Sequence, residues 1–76
     1  MKKNDNIISI IGFGYIGKVL GSFFLQKGFN ILAIEKNKRI IENYKVSKKI
    51  EIEEKDVQQI LSKNIFKITL KKYNEK

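Results

Sequence analysis

The sequence predicts an α/β fold built on a parallel sheet, and three observations carry that reading. A β-branched run, Ile7-Ile8-Ser9-Ile10-Ile11, stops abruptly at Gly12. From Ile16 the apolar period becomes helical, at Ile16, Val19, Leu20, Phe23 and Phe24. A second apolar run, Phe29 to Ile34, then follows Gly28 and closes on Glu35. Strand, glycine turn, helix and strand make a βαβ unit. The expected architecture is therefore a partial Rossmann-like, doubly wound sheet: one βαβ unit, further helices and a short edge strand.

Each element has a local reason. Residues 1–6 are a polar lead-in. The run 7–11 is nearly continuous in β-branched side chains, which predicts a strand buried on both faces. The helical stripe that follows predicts an inner face of Ile16, Val19, Leu20, Phe23 and Phe24. The helix is expected to stop at Lys27-Gly28, where glycine can take the left-handed conformation after the last turn. The run "FNILAI" predicts the second strand. Asn37 is placed to cap a second helix whose inner face is Ile40, Ile41 and Tyr44. Residues 45–49 read as a basic connector and 50–54 as an acidic one. Residues 55–63 predict a third helix, with Val57, Ile60 and Leu61 inward. Phe66, Ile68 and Leu70 alternate with Lys67, Thr69 and Lys71, a strand whose lysines suit a sheet edge. Residues 71–76 are expected to fray.

The glycines Gly12, Gly14 and Gly17 fall in the spacing G-x-G-x-x-G, between the first strand and the first helix. That placement gives each a task. Gly12 permits a tight turn, Gly14 lets a pyrophosphate approach the backbone, and Gly17 lets helix and strand pack closely. Gly21, one turn on, extends the packing. The pyrophosphate would meet the free N–H groups and positive dipole end of the helix, with Tyr15 and Ile16 lining the loop. Glu35 lies 18 residues beyond Gly17 at the end of the second strand, where a carboxylate can accept the ribose hydroxyls of an adenosine. A carboxylate there favours NAD over NADP, although Lys36, Lys38 and Arg39 could accommodate a 2′-phosphate.

Composition bounds the alternatives. Seventy-six residues allow one small domain at most. The chain has no cysteine and no histidine, so disulfides and thiolate or imidazole metal sites are excluded, and no metal or catalytic residue is assigned. Absence of cysteine suits a reducing compartment, and a cytoplasmic location is expected. The net charge of +8 raises the question of nucleic acid, but 15 of the 16 basic residues are lysine, and arginine's planar fork is the better reader of phosphates and bases. No nucleic-acid partner is expected. Met1-Lys2-Lys3 before an apolar run imitates a signal peptide, yet no small-x-small cleavage site follows. A membrane span would carry Lys18 into hydrocarbon, at high cost. No membrane partner is expected.

The stretch "IISIIGFGYIG" resembles the opening of the UDP-glucose/GDP-mannose dehydrogenase family, whose members begin with a strand and G-x-G-Y-[IV]-G. The likeness continues through "KGFNILAIEKNKRI", "IEIEEKDVQQIL" and "FKITL", with "I-x-I-E-E" nearest the UDP-N-acetylmannosamine dehydrogenase branch. The resemblance implies that Gly12, Gly14, Tyr15, Ile16, Gly17 and Glu35 contact NAD. Three departures stand out. Lys18-Val19 replaces Leu-Pro. Ile40 replaces a basic residue, with Arg39 one position early as the nearest cation on the adenosine side. Lys55 replaces a proline at a helix start.

Family members oxidise a nucleotide-sugar alcohol to the carboxylate with a cysteine nucleophile, which this chain lacks. The resemblance thus implies that residues 1–76 are the N-terminal part of an NAD-binding domain. The nucleotide-sugar substrate and homo-oligomers would belong to the full-length protein. In a doubly wound sheet the first strand is central, so residues 7–11 are expected to present an unpaired edge prone to aggregation. Two rival readings are a non-catalytic nucleotide-binding half-domain acting with a partner chain, and a small basic protein associated with membranes or nucleic acid.

Overall fold

In the computed structural model, which describes residues 6–47 and 49–74, the order of elements follows the sequence closely. Strand β1 (Ile7–Ile11) leads through the glycine turn into helix α1 (Tyr15–Gln26), and β2 (Asn30–Glu35) follows. Helices α2 (Lys38–Ser47) and α3 (Lys55–Lys63), then a short 3-10 turn (Ile65–Lys67), lead to β3 (Ile68–Lys72). The three strands form one parallel sheet in the order β1-β2-β3. Parallel strands in sequence order, joined by helical crossovers, are half of a doubly wound Rossmann-like sheet. Residues 1–5 of the polar lead-in, including Met1-Lys2-Lys3, lie outside the described residues, as do Lys48 and the last two residues of the expected tail.

Register fixes which side chains share a layer. Ile10 stands opposite Ala33, and Ile31 opposite Ile8 and Ile68, so these point together under the helices. Phe13, Leu25, Ile50 and Leu61 complete the buried cluster. Among the described residues the opposite face of the sheet carries no helix, and β1 is consequently exposed on that side at Ile7 and Ile11. The expectation of a strand buried on both faces is corrected: alternate residues are covered, because all three helices pack on one layer.

The inner face of α1 is also corrected. The buried residues are Gly17, Gly21, Ser22 and Leu25, while Ile16, Leu20 and Phe23 are exposed. Space decided this, not hydrophobicity. A Cβ on Gly17 would fall 2.1 Å from the carbonyl oxygen of Gly12, and one on Gly21 would touch the ring of Phe13 at 3.3 Å. Only the glycine face of the helix can come so near β1.

Other boundaries behave as local chemistry dictates. Gly28 follows the last turn of α1 with φ +95°, the left-handed conformation expected there. Asn37 caps α2: its side-chain oxygen accepts the Arg39 N–H at 2.9 Å. Helix α2 runs on through Ser47, into the residues expected as a basic connector, and places Ile41 in the interior. Phe66 does not join β3. It sits in the 3-10 turn closed by Lys67 N–H to Asn64 C=O (2.9 Å) and is exposed, so pairing begins at Ile68. Lys71 and Lys72, assigned to the frayed tail, pair instead with Ile34 and Glu35.

Candidate functional site

The glycine turn crosses the carboxyl end of the sheet, where ligands of open α/β sheets bind. Gly12 has φ +91°, and its N–H donates to the carbonyl of Ile34 at 2.7 Å. This bond ties the turn to β2. Gly14 is the residue that precedes α1, in extended conformation, and no side chain caps the helix. The first turn contains no acidic residue. Its N–H groups are therefore not claimed by a side chain of the helix, as an anion seat requires.

The space around the loop fits a phosphate-bearing ligand. A Cβ built on Gly12 or on Gly14 meets nothing within 4 Å, whereas one on Gly17 meets backbone. The three glycines thus divide into two kinds. Gly12 and Gly14 face open space that side chains would fill, and Gly17 is a contact between helix and turn. Gly21 is a packing glycine against Phe13 and Ile10.

Glu35 is brought directly to this loop. It is buried, at 8% exposure, and is no solvated strand-end charge. Its Oε1 accepts the Phe13 N–H at 2.5 Å and its Oε2 accepts the Asn37 N–H at 2.8 Å. One carboxylate therefore fastens the glycine loop to the end of β2 and to the approach to α2. Each carboxylate oxygen keeps a second lone pair, so acceptance of ribose hydroxyls remains open to it.

The other candidates diverge. Tyr15 turns toward the segment before α3, its hydroxyl donating to Glu54 Oε2 at 2.9 Å. Ile16 points the other way and is 73% exposed. Arg39 is exposed in the first turn of α2, its backbone N–H held by Asn37. The structure thus gathers Gly12, Gly14, Gly17 and Glu35 at one place, and sets the side chains of Tyr15, Ile16 and Arg39 around its margin. Phe13 is the residue that sequence reasoning passed over. It is fully buried, and its N–H is the one Glu35 holds. The available signal was a large aromatic between two glycines, where a solvent-facing loop would favour a small or polar residue.

Lys18 stands beside the site. Its Nζ donates to the carbonyl of Glu51 at 2.7 Å, joining α1 to the connector between α2 and α3. Burial holds its ammonium below the ordinary lysine range, while Glu35 and Glu51 pull the other way. The Tyr15 phenol is raised, chiefly by its hydrogen bond to Glu54, then by the charges of Glu54 and Glu53. These shifts have opposite consequences. The contribution of Tyr15 is present at neutral pH and is lost as pH rises through its raised folded value. The penalty on charged Lys18 is relieved as pH rises through its depressed folded value, and the gain is complete above the unfolded one. In Tyr15→Phe the loss on the alkaline side of about pH 10 disappears and the Lys18 gain remains. Urea midpoints across an alkaline pH series, variant against parent, will show a smaller decline in the variant.

Among the described residues no group of three or more histidine, cysteine or carboxylate side chains could hold a metal ion. No helix of the described residues is long and apolar enough to cross a membrane. A family model described as the NAD-binding domain of the UDP-glucose/GDP-mannose dehydrogenase family matches residues 6–75. No curated protein and no solved structure gave a match.

Proposed function

The chain belongs to the UDP-glucose/GDP-mannose dehydrogenase family, as its NAD-binding domain, and on that premise we propose that residues 12–17 with Glu35 form the NAD seat. The observation that carries the assignment is the open space over Gly12 and Gly14, next to a helix start that no side chain caps. The N–H groups at the start of α1 hold the pyrophosphate there. Glu35 accepts the adenosine ribose hydroxyls and repels a 2′-phosphate, giving NAD its preference over NADP. Tyr15, Ile16 and Arg39 border the nucleotide. Bound NAD supplies a hydride acceptor, and this chain's part is to bind and orient it.

The enzyme to which this nucleotide site belongs oxidises the alcohol of a nucleotide sugar to the carboxylate, with UDP-glucose or UDP-N-acetylmannosamine as the substrate type. That reading rests on the family and on the "IEIEE" run at 50–54. The nucleophile for the second oxidation is supplied from outside these 76 residues, which contain no cysteine. The same absence accords with a reducing, cytoplasmic setting.

Gly14 separates this reading from a purely structural glycine turn. Since a Cβ at Gly14 contacts nothing, Gly14→Ala should cost less than about 1 kcal/mol of stability, the scale of a helix-cap substitution. The same methyl group stands where the pyrophosphate approaches, and Gly14→Val fills that space further. Calorimetric titration with NAD or ADP-ribose should show weak binding by the parent and a loss of about tenfold or more in the variants. Equal nucleotide affinity in parent and Gly14→Val, or no binding by a folded parent, removes the assignment.

A further inference from the structure

Two hydrogen bonds join the start of α1 to the connector that precedes α3, and together they form a ladder. The Tyr15 hydroxyl donates to Glu54 Oε2 at 2.9 Å, and Lys18 Nζ donates to the Glu51 carbonyl at 2.7 Å. Residues 15 and 18 are three apart on a helix and so share one face. Residues 51 and 54 are also three apart, taken in the opposite order. The two segments therefore run side by side and antiparallel, with a rung at each end of the first turn of α1.

The connector is itself anchored. Ile50 lies in the core at 4% exposure, and the Ile52 N–H donates to Gln58 Oε1 at 2.9 Å, which ties the middle of the segment to α3. Glu54 stands at the N-cap position of α3, yet its side chain does not cap that helix. Serine, threonine, aspartate and asparagine are the residues that cap well, so local structure gives no reason for a glutamate here. Its carboxylate goes instead to Tyr15, 39 positions earlier in the chain. On the other side of the rung, the Lys18 N–H makes the bond to the Gly14 carbonyl at 2.9 Å. The N–H groups of residues 15–17 precede that bond and are the ones a helix start offers to an anion.

We propose that Glu54 is a positioning residue for the nucleotide: by holding Tyr15 it fixes the first turn of α1 in the orientation in which its N–H groups meet the pyrophosphate. The inference rests on the nucleotide seat proposed above. The glycine loop is already fastened to the end of β2, at Gly12 by Ile34 and at Phe13 by Glu35. The ladder adds a second anchorage, from the connector to the helix that follows the loop. Glu54 acts through Tyr15, not by contact with the nucleotide.

Charge and hydrogen bonding make opposite demands at this position, which separates the proposal from simple electrostatics. A carboxylate beside a helix N-terminus repels an arriving anion, and the charges of Glu54 and Glu53 are both felt at Tyr15. If charge were all that Glu54 contributed, every neutral replacement would strengthen the binding of a diphosphate. If Glu54 holds Tyr15, the outcome depends on whether the replacement still accepts a hydrogen bond. Glutamine does and alanine does not. Linkage adds a reciprocal effect: a rung that improves the seat is itself strengthened when the seat is filled.

Calorimetric titration with ADP-ribose tests this on the parent, Glu54→Gln, Glu54→Ala, Tyr15→Phe and the Tyr15→Phe/Glu54→Ala double variant. Glu54→Gln should bind at least as tightly as the parent. Glu54→Ala should bind about three- to tenfold more weakly, the scale of one hydrogen bond, although it has lost the same charge. The double variant should bind no more weakly than Tyr15→Phe, because both substitutions remove one rung. In hydrogen exchange, ADP-ribose should slow the amides of residues 51–54 in the parent and not in Glu54→Ala. If Glu54→Ala fails to fold, that protection in the parent decides alone. Equal affinity of Glu54→Ala and Glu54→Gln, additive losses in the double variant, or no protection of 51–54 overturns the proposal and leaves the nucleotide seat standing. A folded parent that binds no ADP-ribose removes the seat and this proposal together.

Discussion

Gly17→Ala is expected to destabilise the domain by about 3 kcal/mol and to abolish nucleotide binding with it. The added Cβ would stand 2.1 Å from the Gly12 carbonyl oxygen, 3.2 Å from its carbon and 3.3 Å from Ile10 Cγ2. None of these atoms is the free end of a flexible side chain. Gly12 is held by its N–H bond to Ile34, and Ile10 is in the core. Relief must come from moving α1 off β1, which opens the packing around Phe13 and Gly21. A chain this small has about 4–11 kcal/mol in hand, at 0.05–0.15 kcal/mol per residue, so the loss should be plain in a urea titration. Gly14→Ala, three residues earlier, supplies the contrast, since its fold should survive. Equal stability of the two variants would mean that the close approach at Gly17 does not exist.

The second large effect is at Glu35. Its carboxylate accepts one backbone N–H on each oxygen, from Phe13 and from Asn37. Glu35→Ala leaves both donors without their partner, at about 1–3 kcal/mol for each one that stays buried. An expected total of about 2–4 kcal/mol follows. Glu35→Gln is the sharper experiment. Glutamine offers one acceptor oxygen, and its amide N–H₂ would face a second N–H donor. Its stability should therefore fall most of the way to that of the alanine variant, despite the matched shape. NAD affinity should fall in both. A solvated charge at the end of a strand would instead tolerate both substitutions, with a change within about 0.5 kcal/mol. Thermal or urea unfolding of the three proteins without nucleotide distinguishes these outcomes, and titration with NAD then reports the ribose contact separately.

The Glu35 prediction arises from a contact long in sequence and short in space, and the Gly17 prediction from a close approach of α1 to the turn that precedes it. They mark the limit of what could be read from residues alone. The turn at Gly12, the left-handed Gly28, the Asn37 cap and the span of α3 were legible because each is a local matter of backbone sterics or hydrogen bonding. Glu35 was legible as the acid closing β2, and its position is right. Its bond to Phe13, 22 residues away, was not, because nothing in either residue's neighbourhood specifies the other.

The orientation of α1 shows the difference most clearly. By period, the bulky stripe at Ile16, Val19, Leu20, Phe23 and Phe24 looked inward. The structure turns Gly17 and Gly21 inward and leaves Ile16, Leu20 and Phe23 at the surface. Hydrophobic pattern ranks faces by how much they gain from leaving water. It takes no account of the room left beneath the helix once the turn at Gly12 has been made.

The sequence by itself determined the kinds of element, their order and the chemistry of the loop between the first two. Those follow from periodicity and from which residues a tight turn admits, and both are encoded over a few neighbouring positions. Only the tertiary structure decided which face of α1 meets the sheet, that Phe13 fills the space beside Gly21, and that Glu35 clasps the loop. These depend on distances between packed elements, where a clash of about 1 Å outweighs a preference summed over a whole helical face.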